Sequence, residues 1–387
     1  MSKSSTYDVI IIGAGSIGVP AALAMERAGL KVLVLDKFTS PGQGSNKAAI
    51  GGIRATHSDP AKIRLCQRSL EIVSTWKETY GHDIEWNDGG YVFVTYCKKD
   101  EKALKELLKT QHSYGLNINW LNKDDLLKIV PDLNPEGLIG GTYSPDDGHC
   151  STLLAGHAFY EEAKNAGCEF RFNEEVFKIK VHNNQVQGVK TNKGEYWAAI
   201  VVNAAGAWAK EVGNLVGIDL QVNPDSHEAG ITEPVAEFIY PMIVDIRPFP
   251  GSDNFYFHQL NTGQVCFCIT PHPKIWGFDR RETSGFLPMV SNRMINLMPR
   301  LANIRVRRVW RGLYPMTPDE SPLVGWATEV KGFLLAVGMC GQGFMIGPGL
   351  GELLTRMVLQ RELREKDREV LKILSPYRMF KGKEALA

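Results

Sequence analysis

An excess of charge of either sign is missing from this sequence: 44 lysines and arginines stand against 43 aspartates and glutamates, for a formal net charge of +1. Without a basic excess there is no electrostatic case for nucleic acid or an anionic membrane surface as a partner. A CxxC pair is missing too. The seven cysteines, at 66, 97, 150, 168, 266, 268 and 340, are odd in number, which argues against a disulfide framework or a structural zinc, so no metal is expected. Reduced thiols of this kind suit the cytoplasm. Uninterrupted apolar runs of membrane-spanning length are also lacking. Residues 332–350 are mostly apolar, but six of the nineteen are glycine and one is proline. That composition reads as strand, loop and helix, and no transmembrane segment is expected. There is no internal repeat, and the apolar stretch near the N-terminus has another use, described next, so no cleavable targeting segment is expected.

What is present is a chain of 387 residues, 44% hydrophobic, long enough for two domains. Its organising stretch is YDVIIIGAGSIGVPAALAMERAGLKVLVLD, residues 7–36. Val9 to Ile12 suit a strand buried on both faces. Gly13, Gly15 and Gly18 follow as G-x-G-x-x-G: the first makes a sharp turn, the second lets a pyrophosphate approach the backbone, the third lets helix pack on strand. The helix offers its N-terminal N–H groups to the phosphates. A second strand, Lys31 to Leu35, ends in Asp36, whose carboxylate can accept ribose hydroxyls of an adenine dinucleotide. Asp36 lies 18 residues beyond Gly18, near the expected spacing of roughly 20.

The rest of the chain predicts a long polar, Gly-rich loop over 40–60, then a helix capped by Asp59 and Pro60 and stopped by Gly81. A strand over 91–95 and a helix over about 100–114 leave the nucleotide-binding part, to which the chain returns near Asp146. A helix over 151–166, a strand over 168–172, a hairpin around Asn183-Asn184 and a buried strand over 196–203 follow. Residues 220–308 read as strands with one helix over 289–298 and a hairpin whose strands, 255–260 and 264–270, flank an Asn-Thr-Gly turn. The last stretch regains the nucleotide-binding style, and the final twenty or so residues read as a surface helix and loose tail. The domains are therefore interleaved: 1–88, 146–219 and 309–365 in one, 89–145 and 220–308 in the other, with 366–387 as the tail.

The fingerprint with Asp36, the loop ending GGIR at 51–54, the hairpin before NAAGAWA, RGLYPMTPDESPLVG and GMCGQGFMIGPGLGELL resemble, in order, the D-amino-acid-oxidase-like FAD enzymes. Within them the chain is most similar to the β subunits of sarcosine oxidase and dye-linked L-proline dehydrogenase. The resemblance spans nearly the whole chain. It implies an α/β fold: a glutathione-reductase-type FAD-binding Rossmann domain interleaved with an antiparallel-sheet substrate domain. It also implies oxidation of a secondary or tertiary amino acid at its C–N bond. By the same resemblance Gly13, Gly15 and Gly18 hold the pyrophosphate, and Asp36, with Lys37 beside it, the adenosine end. Ser45, Lys47, Gly51 and Gly52 lie along the flavin, and the Val176 backbone meets the adenine. Ala205, Gly206 and Trp208 form the second pyrophosphate contact. Gly312, Gly341, Gln342, Gly343, Phe344 and Met345 wrap the isoalloxazine and ribityl chain. Arg54 matches an arginine that pairs with the substrate carboxylate, and a planar guanidinium can grip a carboxylate through two parallel hydrogen bonds. A surface residue or a structural ion-pair partner is the alternative for an arginine after an apolar strand. His227 and Tyr256 sit where proline-dehydrogenase-like members face the substrate; a histidine could take the amine proton. Packing inside a strand-rich domain is the alternative for both.

Three departures from the pattern refine these expectations. Gly312 stands where covalent-flavin oxidases carry cysteine, so FAD is expected to be non-covalent. Met345, in GQGFM, stands where monomeric sarcosine oxidases carry lysine. VCFCIT replaces the strand bearing the lysine that faces dioxygen, so Cys266 or Cys268 removes a positive charge there. The last change favours a dehydrogenase that passes electrons to a quinone, a ferredoxin-like protein, another flavoprotein or partner subunits. The two cysteines read as small hydrophobes rather than a redox pair. Competing readings are a glycerol-3-phosphate-type FAD dehydrogenase, a flavoprotein subunit that only relays electrons, and a nicotinamide dehydrogenase.

Overall fold

Strand Val9–Ile12 is buried along its whole length, and its β-branched residues are paired on both sides. Val9 faces Val32 of strand Val32–Leu35 and Ile200 of strand Ile200–Asn203, both parallel. That places the fingerprint strand in the middle of a six-stranded sheet. Glu169–Arg171 flanks it beyond Val32–Leu35; Phe333–Val337 and then Leu323–Trp326 lie beyond Ile200–Asn203, the last antiparallel. The computed structural model describes residues 6–361 and 363–382; the outermost ends of the first and last expected spans, 1–5 and 383–387, lie outside the described residues.

Helices Gly18–Arg27, Pro60–Ser74, Thr152–Ala166 and Gly343–Val358 cover one face of this sheet around Ile11, Val34, Cys66 and Leu350. The opposite face packs against a three-stranded meander, Val176–His182, Gln185–Thr191 and Glu195–Trp197, through Ile10, Leu33, Ile179 and Val189.

A second sheet has eight strands in the order Val306–Met316, Asn223–Pro234, Gln264–Pro271, Ser252–Gln259, Met242–Asp245, Tyr91–Thr95, Gly140–Ser144, Asn119–Asn122. Its pairings are antiparallel except for Met242–Asp245, which runs parallel to Tyr91–Thr95. The period of two sorts its side chains. Phe255, Phe257 and Phe267 turn to the face covered by helix Phe286–Leu297, with Phe286 and Val290. Tyr256, Cys266 and Cys268 turn to the other face, with Tyr91, Phe93 and Ile50. Each of those fully buried phenylalanines contributes about 2–3 kcal/mol by burial.

Three expectations are corrected. The helix from Pro60 to Gly81 is two helices, because Thr75 bends the chain: its hydroxyl bonds back to Glu71 O at 2.8 Å and helix Trp76–Tyr80 starts afresh. Gly81 (φ +76°) ends the second as expected. Residues 196–203 are two strands, since the chain leaves the meander after Trp197 and joins the main sheet at Ile200. The expected C-terminal helix is present as Glu365–Ile373, but the tail after it is not loose over its first part, since Leu374 is buried. Arg378 binds the Asp319 carboxylate with both Nε and Nη2.

Candidate active site

The sharp turn after Ile12 is made by Gly13 at φ +111°, where a Cβ would stand 2.4 Å from Ala204 O. At Gly18 a Cβ would stand 1.8 Å from Gly13 O, so the helix can begin this close to the strand only with glycine there. Gly15 is different: a Cβ there would meet nothing within 4 Å. It borders a cavity of about 380 Å³.

One end of the cavity holds Asp36, Lys37 and Val176. The Asp36 carboxylate accepts the N–H of Ala14 at 2.7 Å and of Phe38 at 2.8 Å, one on each oxygen. Burial pushes the carboxyl above its usual range, against these two hydrogen bonds. The Lys37 ammonium lies 4.4 Å from the centre of the Trp208 ring. The middle is lined by Gly13, Gly15, Ser45, Ala205, Gly206 and Trp208, and further on by Gly341, Gly343 and Phe344. Gly206 (φ +55°) also has open space where a Cβ would be. The Ser45 hydroxyl donates to Leu313 O at 2.6 Å, and Trp310 Nε1 to Ala48 O at 2.9 Å. These two bonds tie the polar loop to strand Val306–Met316. Gly312 follows from that approach, since a Cβ there would lie 2.7 Å from Ala48 Cβ.

At the far end the eight-stranded sheet supplies His227, Tyr256, Cys268 and Tyr314. Alternate residues of strand Asn223–Pro234 share a face, so Asp225 and His227 stand together: Nε2 of His227 lies 3.1 Å from Asp225 Oδ2. The imidazole stacks on the Tyr314 ring at 3.7 Å and 19°. The Tyr314 and Tyr256 hydroxyls are 2.6 Å apart. His227 is buried, which holds its pKa below the ordinary value despite the Asp225 carboxylate. Burial drives the Tyr256 hydroxyl well above its usual range, and that of Cys268 pushes the thiol up to about 12. Among the described residues lining the cavity, Lys37 is the one lysine or arginine, and it lies at the opposite end.

Several expected residues do not line this cavity. Gly18 serves packing. Lys47 is exposed and donates to Gln43 Oε1 at 3.0 Å. Gly51 and Gly52 are walled in, with Cys150 O and the Tyr91 hydroxyl where their Cβ atoms would be. Met345 packs against the helical core, and Gln342 stands just before helix Gly343–Val358, buried, with Oε1 lacking a partner. Arg54 is buried; it donates to Thr56 O at 2.5 Å and lies 5.2 Å from the centre of the Phe93 ring. Asp225 and Tyr314 were not anticipated. The i, i+2 pairing of an aspartate with His227 in a strand was the signal available for the first; for the second only strand pairing across the sheet reveals it.

The residues fit an FAD. Gly15 and Gly206 leave open space on the cavity wall where a Cβ would be, and the half-buried Asp36 carboxylate stands among the lining residues at one end. No group of three or more His, Cys, Asp or Glu among the described residues could hold a metal ion, and no helix among them is long and apolar enough to cross a membrane.

Comparison with known proteins agrees with the geometry. L-proline dehydrogenase from P. horikoshii is 30% identical and superposes with a TM-score of 0.89, covering 97% of this chain and 98% of that one. Glycine oxidase from Geobacillus kaustophilus is 27% identical over 92% of this chain and 94% of its own length. Human mitochondrial dimethylglycine dehydrogenase is 23% identical over 92% of this chain but only 43% of its own length. Residues 8–357 match the DAO family, described as FAD dependent oxidoreductase, and with the match covering most of the chain, this protein belongs to that family of FAD-dependent oxidoreductases.

Proposed function

We propose that this enzyme oxidises the C–N bond of a small secondary or tertiary amino acid, of the sarcosine, dimethylglycine or proline kind, and delivers the electrons to an acceptor other than dioxygen. The observation that carries the reading is the far end of the cavity. There a buried, neutral histidine stacks on Tyr314, whose hydroxyl meets that of Tyr256, and stands beside Asp225, with no lysine or arginine lining this end. The likeness to L-proline dehydrogenase and dimethylglycine dehydrogenase supports the substrate class.

FAD held along Gly13, Gly15, Asp36, Ser45, Ala205, Gly206, Trp208, Gly341, Gly343 and Phe344 supplies the hydride acceptor. The residues around it bind, orient and deprotonate the substrate. An ammonium has no lone pair to assist loss of hydride from the neighbouring carbon, so the amine must first lose a proton. His227, neutral at pH 7, is the group that takes it. The Tyr256 and Tyr314 hydroxyls stay protonated and donate. Arg54 does not line the cavity in this structure; to hold the carboxylate, its guanidinium, which lies over Phe93 of the cluster that contains Tyr256 and Cys268, must swing from Thr56 O toward the cavity. Cys268, neutral and buried, gives no positive charge to stabilise forming superoxide, and this supports an acceptor other than dioxygen. Gly312 offers no nucleophile to the flavin, which supports a non-covalent cofactor.

Anaerobic visible spectroscopy with sarcosine, N,N-dimethylglycine, L-proline, hydroxyproline and glycine in turn tests this reading. Bleaching by one of them, with slow recovery on admitting air, is the expected result. A flavin that none of them bleaches would point to an electron-relay subunit and overturn the reading; rapid recovery in air would overturn its second half.

A further inference from the structure

The Asp225 carboxylate does two jobs at once. Its Oδ2 binds His227 Nε2 at 3.1 Å, while its Oδ1 accepts the backbone N–H of Ile275 at 2.7 Å and of Ser226 at 2.9 Å. Ile275 belongs to residues 272–283, a strap between strand Gln264–Pro271 and helix Phe286–Leu297. The strap runs along the start of strand Asn223–Pro234: Ser226 N–H donates to Ile275 O at 2.9 Å and Gly277 N–H to Pro224 O at 2.9 Å. It then crosses to the nucleotide-binding side, where Phe278 stacks on Trp208 at 5.7 Å and Arg280 donates to Gln43 O at 3.4 Å. Trp276 and Phe278 are exposed.

A carboxylate can only accept, so the shared proton sits on His227 Nε2 and Nδ1 presents its lone pair. That Nδ1 is buried and has no partner. Other groups face the ring too. Tyr314 covers it, Cys268 stands on the adjacent strand and Tyr256 on the strand beyond that, and Lys274 and Asp253 act from a distance with opposite sign.

We infer that Asp225 is a positioning residue that couples the strap to the proton-accepting histidine: with the strap docked, one oxygen holds Ile275 and the other holds His227 as the Nε2–H tautomer with Nδ1 as base. The inference rests on the proposed role of His227. In the step it serves, the substrate ammonium N–H breaks, its electron pair stays on nitrogen, and the proton forms N–H on Nδ1. The imidazolium charge then sits against the Asp225 carboxylate, and the proton leaves to water when product departs.

The test uses FAD-loaded protein and four variants, Asp225→Asn, Asp225→Glu, Ile275→Pro and His227→Gln. The readouts are flavin reduction by L-proline and by sarcosine across pH, the histidine tautomer by nitrogen NMR, and chymotrypsin cleavage at Trp276 and Phe278. Asp225→Asn should keep the flavin spectrum, slow reduction about 100-fold, lose the Nε2–H signature and be cut about tenfold faster. Asp225→Glu should regain part of each. Ile275→Pro, which lacks the strap N–H, should also be cut faster and reduce more slowly with the carboxylate intact. An Nδ1–H tautomer in the unaltered protein, which no misfolded variant can confuse, would overturn the inference. So would Asp225→Asn reducing at the normal rate while His227→Gln does not. Normal reduction by His227→Gln would instead sink the base role itself and leave the tautomer and cleavage readouts to judge the coupling.

Discussion

Buried histidines set how this protein responds to acid. His227 carries a depressed pKa because burial outweighs the Asp225 carboxylate, so the acid limb of kcat/KM should lie below 6.5, the ordinary imidazole value. His227→Gln should slow flavin reduction by about 100-fold with the flavin spectrum intact. His258 is depressed to about 4 by full burial, although its Nε2 donates to Ile50 O at 2.5 Å. Its unfolded form binds a proton more readily than its folded form. Stability is therefore complete above the unfolded pKa of 6.5 and falls as pH drops toward 4, by on the order of 3 kcal/mol. Neighbouring His149, 3.9 Å away ring to ring, is depressed in the same direction. Urea midpoints between pH 7 and 4 should show the loss, and His258→Asn should flatten part of it. Arg54→Lys keeps the charge but not the planar fork, so KM for the amino acid should rise about tenfold with little change in thermal midpoint. An unchanged KM would remove Arg54 from the carboxylate site.

Glycines of one turn serve two different purposes, and substitution should separate them. Gly18→Ala drives a Cβ into Gly13 O and should destabilise the cofactor-free protein by about 2 kcal/mol or more. Gly15→Ala meets no protein atom; it should leave the cofactor-free melting temperature alone and weaken FAD binding at least about tenfold. Calorimetry and cofactor titration on both proteins check the pair. This turn was legible in the sequence because its requirements are local: strand, glycines, helix and Asp36 all fall within residues 7–36. The hairpin strands 176–182 and 185–191 were legible for the same reason, since Asn183 and Asn184 take φ of +49° and +56° themselves. Tyr314 and the strap were not, because their meaning depends on pairing across strands far apart in the chain, and Asp225 offered only its i, i+2 spacing from His227. Asp225 lies opposite Tyr314 in register, and nothing near either residue announces it. Arg54 shows the limit from the other side: its motif was readable, yet its contacts with Thr56 and Phe93 follow from tertiary packing.

At the scale of the molecule, the cavity is lined from both sheets, so a cofactor held there would bridge them. A ligand bound to the folded state alone raises stability by mass action. FAD at 1,000 times its dissociation constant should add about 4 kcal/mol, and the melting temperature should climb with FAD concentration. Phe267→Ala, in the face of the second sheet turned away from the cavity, should cost about 3–5 kcal/mol. A melting temperature independent of FAD would contradict a cofactor that spans the cavity. The order of strands has one more consequence, for biosynthesis. Val9–Ile12 finds Val32–Leu35 soon after it is made, but Ile200–Asn203 and Phe333–Val337 are synthesised much later. At ordinary translation speeds the unfinished sheet waits roughly half a minute for its last parallel strand. Through that interval the nascent chain presents an apolar, unpaired edge to whatever surrounds the ribosome, and FAD has no complete cleft to enter until helix Gly343–Val358 has left the ribosome.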